Sequence, residues 1–92
     1  MEVGPLNEPF PYDLSDHAKA RLAERNLDLR WVALTLTEPA LVEPHPDDVD
    51  CRFAYRRIAE AEGRVLKVVY NTATEPWRVV TVHFDRRMRG RL

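Results

Sequence analysis

A second cysteine is missing from this chain of 92 residues, so the lone Cys51 has no internal partner for a disulfide. No apolar run approaches the length of a membrane span, and the N-terminus lacks the basic-then-apolar order of a signal peptide. These absences lead to the expectation of a cytoplasmic, reducing setting with no membrane partner. Glutamine is absent, and 12 of the 14 basic residues are arginine. A bias of that kind reflects genome composition, so arginine content by itself says little and position has to carry the argument. Internal repeats and low-complexity tracts are lacking as well.

What is present suits a globular protein. An apolar fraction of 45% with 32% charged residues excludes a wholly disordered chain. The length suits a single domain, 1–92, able to build a thin core without a disulfide or metal. The net charge of −1 hides an asymmetry: residues 1–50 carry 4 basic against 11 acidic side chains, and residues 51–92 carry 10 against 4. A basic half often marks a surface for nucleic acid or an acidic partner. The alternative is that the two halves interleave in space and neutralise each other. Sequence order leaves both open.

Along the chain, residues 1–11, with Gly4, Pro5, Pro9 and Pro11, read as an irregular arm. A helical part spans 12–39. After a short extended lead-in from Tyr12 to Leu14, Ser15 or Asp16 caps a helix running to Arg25, with Ala18 and Leu22 as its buried stripe and Asn26 as a left-handed stop. Asp28 caps a second helix from Leu29 to about Thr37, ended by Pro39; Leu29, Val32, Leu36 and one of Trp31 or Leu34 are its buried side. From 40 to 85 the pattern is that of an antiparallel sheet. Its strands are Ala40–Glu43, Cys51–Ala59, Arg64–Tyr70 and Trp77–Phe84, with a hairpin turn at Ala61-Glu62-Gly63. Along the second of these, Arg52, Ala54, Arg56 and Ile58 face one way, and Cys51, Phe53 and Tyr55 the other. Residues 86–92 form a basic tail. The fold class expected is α+β, with two N-terminal helices packed on a curved antiparallel sheet of three to four strands.

The most informative stretch is His17-Ala-Lys-Ala-Arg21-Leu-Ala-Glu-Arg25. At helical spacing, positions 17, 21 and 25 fall within about one quadrant of the surface. One imidazole and two guanidiniums on one face suit an anion, phosphate above all, because arginine offers a planar fork of donors and histidine exchanges protons near neutral pH. In the other reading these residues form only a salt-bridged face: Arg21 pairs with Glu24, Arg25 with Glu24 or Asp28, and His17 caps the helix. Leu22 lies about 60° from Arg25 around the axis, so Arg25 borders the core and the site narrows to His17 and Arg21.

The pattern His17-Ala-x-x-Arg21-x-x-Glu24-Arg25-x-Leu27, a short helix ending at Pro39, and a strand-rich half closing on Val79-Val-Thr81-Val-His83 resembles the small DUF4258 proteins. These in turn resemble the RelE-like and BrnT-like toxin superfamily of metal-independent ribonucleases. The resemblance covers about residues 14–86. It implies a RelE-like arrangement, with helices on a curved sheet and an RNA cleft on that sheet.

Metal-free RNA cleavage needs a base, a proton donor for the leaving 5′-oxygen, and cations for the phosphate. His17 is the candidate base or phosphate ligand and His83 the candidate acid, with Arg21 beside them as the third catalytic candidate. Arg25, Arg52, Arg56 and Arg86 are the candidate RNA contacts. For Tyr55 and Tyr70 a half-buried core position with a wet hydroxyl is the simpler reading. The tail arginines Arg86, Arg87, Arg89 and Arg91 either touch phosphates or make a solvated chain end. His45, Asp47, Asp48, Asp50 and Cys51 crowd one loop, yet their spacing fits neither a tetrahedral zinc pattern nor a calcium loop, so no metal and no other cofactor is expected. Cys51 opens a strand away from any helix start, which does not favour a nucleophile. The expected function is RNA binding and cleavage. Its rival is a non-catalytic interaction domain for an antitoxin-like protein or a homodimer, with the edge strand Ala40–Glu43 as the docking element.

Overall fold

The computed structural model describes residues 11–92. The irregular arm expected over 1–11 therefore lies, apart from Pro11, outside the described residues. The elements run β1 (Asp13–Leu14), α1 (Asp16–Glu24), α2 (Leu29–Thr37), β2 (Leu41–Pro44), β3 (Cys51–Ile58), β4 (Arg64–Asn71) and β5 (Arg78–Phe84), with short 3-10 turns at Ala59–Ala61 and Arg86–Met88. Two helices thus pack on a five-stranded mixed sheet of order β1-β5-β4-β3-β2.

The sheet is larger than the three or four antiparallel strands expected, and it is mixed. The lead-in before the first helix is itself a strand, β1, paired parallel to β5 with Asp13 beside Arg78 and Leu14 beside Val79. Asp13 N–H donates to the Trp77 carbonyl at 2.8 Å and Ser15 N–H to the Val79 carbonyl at 2.9 Å. The Arg78–Asp13 ion pair, at 2.9 Å, clamps the same edge. Two residues carry no alternation, so nothing local marked them as a sheet member. The other three pairings are antiparallel, with a bulge in β5 opposite Val69 and Tyr70.

Both helices lie on one face of the sheet. α1 packs on β5, and α2 on β3 and β4. Between them and the sheet sits the main core, built on Ala18, Val32, Leu36, Ile58, Leu66, Val68 and Val82. Truncating a fully buried aliphatic such as Leu66 to alanine costs about 2–5 kcal/mol. A smaller cluster of Tyr55, Val65 and Met88 covers part of the opposite face. The buried side of α2 differs from expectation at two places: Leu29 is 37% exposed, whereas Thr35 is fully buried. Thr35 tolerates burial because its hydroxyl donates to the Trp31 carbonyl at 2.7 Å. Leu29 is the first residue of the helix, directly after the Asp28 cap. Among the described residues no helix is long and apolar enough to cross a membrane.

Candidate functional site

One hydroxyl sets the position of α1. Ser15 Oγ accepts from Ala18 N–H at 3.0 Å, capping the helix, and donates to the Val80 carbonyl at 2.8 Å. The first turn of α1 is thereby fastened to β5. With Ala18 buried against the strand, His17 and Arg25 stay exposed and Arg21 is half-buried. The helix ends at Glu24 with Arg25 as its C-cap; Asn26 follows with φ 52°, the left-handed stop expected there, and Leu27 turns back into the core.

The face carrying His17, Arg21 and Arg25 forms one wall of an open groove of about 700 Å³. β5 supplies Thr81, His83 and Phe84, and Arg86 follows from the turn after the strand. Arg64, at the start of β4, and Leu27 complete the lining. Five of the seven predicted site residues, His17, Arg21, Arg25, His83 and Arg86, therefore meet in one place. Among the described residues no carboxylate lines this groove. β5 adds polar backbone on the same side. Asp85 N–H donates to the Val65 carbonyl, so the alternation of an antiparallel pair turns the amides of Val82 and Phe84 away from β4, toward the outer edge of the sheet.

The cations of the groove are largely uncompensated. Arg21 reaches Glu24 only at 3.6 Å, in an exposed pair of little energetic weight. Asp28 is taken by Arg30 at 2.6 Å, and Arg25 has no ion pair among the described residues. Arg25 thus lines the groove together with His17 and Arg21, although its place beside Leu22 narrows the sequence-based site to those two. His83 has its pKa lowered from 6.5, first by burial, then by Lys67, Arg21 and Arg25, with Asp85 opposing. Its imidazole is therefore neutral at pH 7, able to accept on one nitrogen and donate from the other.

Arg52 and Arg56 stand elsewhere. Both lie on the helix side of β3, as the alternation required, but two strands away from β5. Arg56 donates to the Glu38 carbonyl at 2.6 Å, putting its charge at the C-terminal end of α2, and Arg52 Nη1 lies 3.4 Å from the Thr72 hydroxyl. Neither lines the groove. On the opposite sheet face, which His83 shares with its cross-strand neighbour Lys67, the Lys67 ammonium lies 3.9 Å from the centre of the Phe53 ring.

The crowded loop between β2 and β3 uses its polar groups internally. His45 Nδ1 accepts from Asp47 N–H, and Asp48 accepts from both Asp50 N–H and the Cys51 thiol. Burial, then the Asp48 carboxylate, push the Cys51 thiol pKa up, so it stays protonated. Among the described residues no three His, Cys, Asp or Glu side chains are grouped to hold a metal. The basic tail is not a loose chain end. Asp85 caps the turn Arg86–Met88, Met88 is buried, and the Arg57 guanidinium donates to the carbonyls of Gly63, Arg89 and Leu92. That fold of the tail is what brings Arg86 to the groove.

Sequence reasoning missed Arg64 and Phe84. Arg64 opens a strand with no local feature that marks it, yet its guanidinium sits 4.1 Å from the centre of the Phe84 ring. Trp31 packs on the same ring at 6.1 Å, so the aromatic is held from the helix side as well.

Residues 14–91 match the family model described as Domain of unknown function (DUF4258), and the chain belongs to that family. No curated protein and no solved structure gives a significant match.

Proposed function

We propose that the groove between α1 and β5 binds the phosphates of RNA and cleaves the strand beside a 2′-hydroxyl. One observation carries this reading: two imidazoles and four guanidiniums from three separate segments converge on a single groove that no carboxylate lines among the described residues. Such a lining repels a divalent cation and attracts a phosphodiester, which favours chemistry run by side chains. The resemblance to RelE-like and BrnT-like ribonucleases supports the same class of reaction.

In that reaction one imidazole takes the 2′-hydroxyl proton, the 2′-oxygen attacks phosphorus, and the 5′-oxygen leaves with a proton from the second imidazole. The products are a 2′,3′-cyclic phosphate and a 5′-hydroxyl. The burial of His83 suits the neutral, proton-accepting partner, and leaves His17 as donor or phosphate ligand. That exchanges the roles suggested by sequence. Arg21 and Arg25 offset charge building on the phosphate oxygens.

The test is incubation of purified protein with RNA in the presence of EDTA, followed by analysis of the ends. Cyclic-phosphate ends are expected, with His17→Ala and His83→Ala each lowering the rate by about 10²–10⁴-fold. RNA left intact by folded wild-type protein, alone and with ribosomes, contradicts cleavage. A second reading, docking of a partner strand, rests on the outer edge of β2, where no further strand pairs among the described residues and Val42 is 43% exposed. It predicts that a stable complex or dimer forms and that Val42→Lys disrupts it.

A further inference from the structure

The groove does not end at Arg64 and Arg86. A second hollow of about 340 Å³ is lined by Arg64, Phe84 and Arg86 together with Val65, Asp85 and Arg89. Three residues are shared with the main groove, so the two are one continuous depression. Arg21 and Arg25 stand at one end of it, Arg64 and Arg86 at the middle, and Arg89 at the other. Among the described residues Asp85 is the one acidic residue on this path. Its side chain is 5% exposed and accepts from the backbone N–H of Arg87 at 2.9 Å, with the Arg87 guanidinium at 3.5 Å. Its charge is therefore taken up within the turn. Arg89 has its backbone held through the carbonyl that Arg57 engages, while its side chain is free of ion pairs among the described residues.

The main hollow alone is large enough for a mononucleotide-sized ligand. Such a ligand would leave Arg89 and the second hollow without a function. A duplex is read by elements that protrude into its grooves or lie across them, whereas a concave cationic channel with a flat surface to stack on suits a single strand. The middle of the channel has that surface. Phe84, backed by Trp31 and faced by the Arg64 guanidinium, puts an aromatic and a planar cation where the two hollows join.

Taking the nucleic-acid reading of the groove as its basis, we infer that the binding site extends from α1 to Arg89 and takes a single strand of roughly four nucleotides or more. One base packs on the Arg64–Phe84 pair, and Arg89 holds a phosphate beyond it.

Equilibrium binding with three probes tests this: a labelled single-stranded RNA 12-mer, the same sequence as a duplex, and a nucleoside 3′,5′-bisphosphate as competitor. The single strand should bind about tenfold or more tightly than either alternative. Arg89→Ala should weaken the 12-mer several-fold, leave the bisphosphate unchanged, and reduce the salt slope by about 0.7, the loss of one phosphate contact on a single strand. Arg64→Ala should weaken both, and thermal melting checks that each variant is folded. Equal affinity for strand and bisphosphate, equal affinity for the duplex, or an Arg89→Ala variant that binds the 12-mer normally overturns the extended site. Wild-type protein that binds none of the three overturns the nucleic-acid reading itself. Single-stranded DNA of the same sequence shows whether binding depends on the 2′-hydroxyl.

Discussion

His83 is the residue whose surroundings do most to define the groove's chemistry. Burial and the cations Lys67, Arg21 and Arg25 all disfavour its charged form, so its pKa in the folded protein lies below 6.5. The unfolded chain then binds a proton that the folded chain does not. The stability due to a neutral His83 is present above about pH 6.5 and is lost as the pH falls through that value toward the folded pKa. Urea unfolding at about pH 7.5 and about pH 5.5 should show that loss, and His83→Gln should flatten it. A variant with an unchanged pH slope would mean that His83 is not desolvated as described. Ligand binding works in the opposite direction. A phosphate anion beside the imidazole offsets the surrounding cations, raises the pKa and draws in a proton, so phosphate affinity should rise on mild acidification.

The element that turns these residues into a site is α1, and its position depends on Ser15. That one hydroxyl caps the helix and holds the Val80 carbonyl, so the helix start and the strand are fixed together. Ser15→Ala should cost about 1–2 kcal/mol in stability, from the lost cap and the lost link to β5. In a domain of this size that lowers Tm by about 4–8 °C per kcal/mol. It should also weaken ligand binding, because the start of α1, which carries His17, would no longer be fastened to β5. Ser15→Asp separates the two effects, since it restores a capping acceptor but cannot donate to Val80. Partial recovery of stability, from the restored cap alone, without recovery of binding is the expected outcome. Most of this element was legible in the sequence: the Ser15 cap, the Asn26 stop, the buried Ala18 and the shared face of 17, 21 and 25 are all local properties. Its partner on the sheet was not. That His83 and His17 line one groove follows from pairing between residues more than sixty positions apart, and no local pattern specifies it. Arg52 and Arg56 show the same limit from the other side. Alternation put them correctly on one face of β3, but not two strands away from the groove.

At the scale of the whole molecule, the charge asymmetry along the chain does not become an acidic lobe and a basic lobe. The groove draws Arg21 and Arg25 from the acidic first half and Arg64 and Arg86 from the basic second half. Three acidic side chains pair away from the groove, Asp13 with Arg78, Asp28 with Arg30 and Asp85 with Arg87, and among the described residues the groove's arginines have one ion pair, the exposed Arg21–Glu24 contact at 3.6 Å. The net charge of −1 therefore conceals one strongly cationic furrow. The strand order that creates it rests on the two residues of β1, which cover only the first part of the outer edge of β5 and leave the rest open toward α1. The central claim is that this furrow is where nucleic acid binds. Backbone amide NMR spectra recorded while a single-stranded RNA is titrated in test it most directly. Shifts confined to α1, to Arg64 and to residues 81–89, and lost in Arg21→Ala/Arg25→Ala, are the predicted result. Shifts centred on β2 and the loop before β3, or no shifts at all, would contradict it.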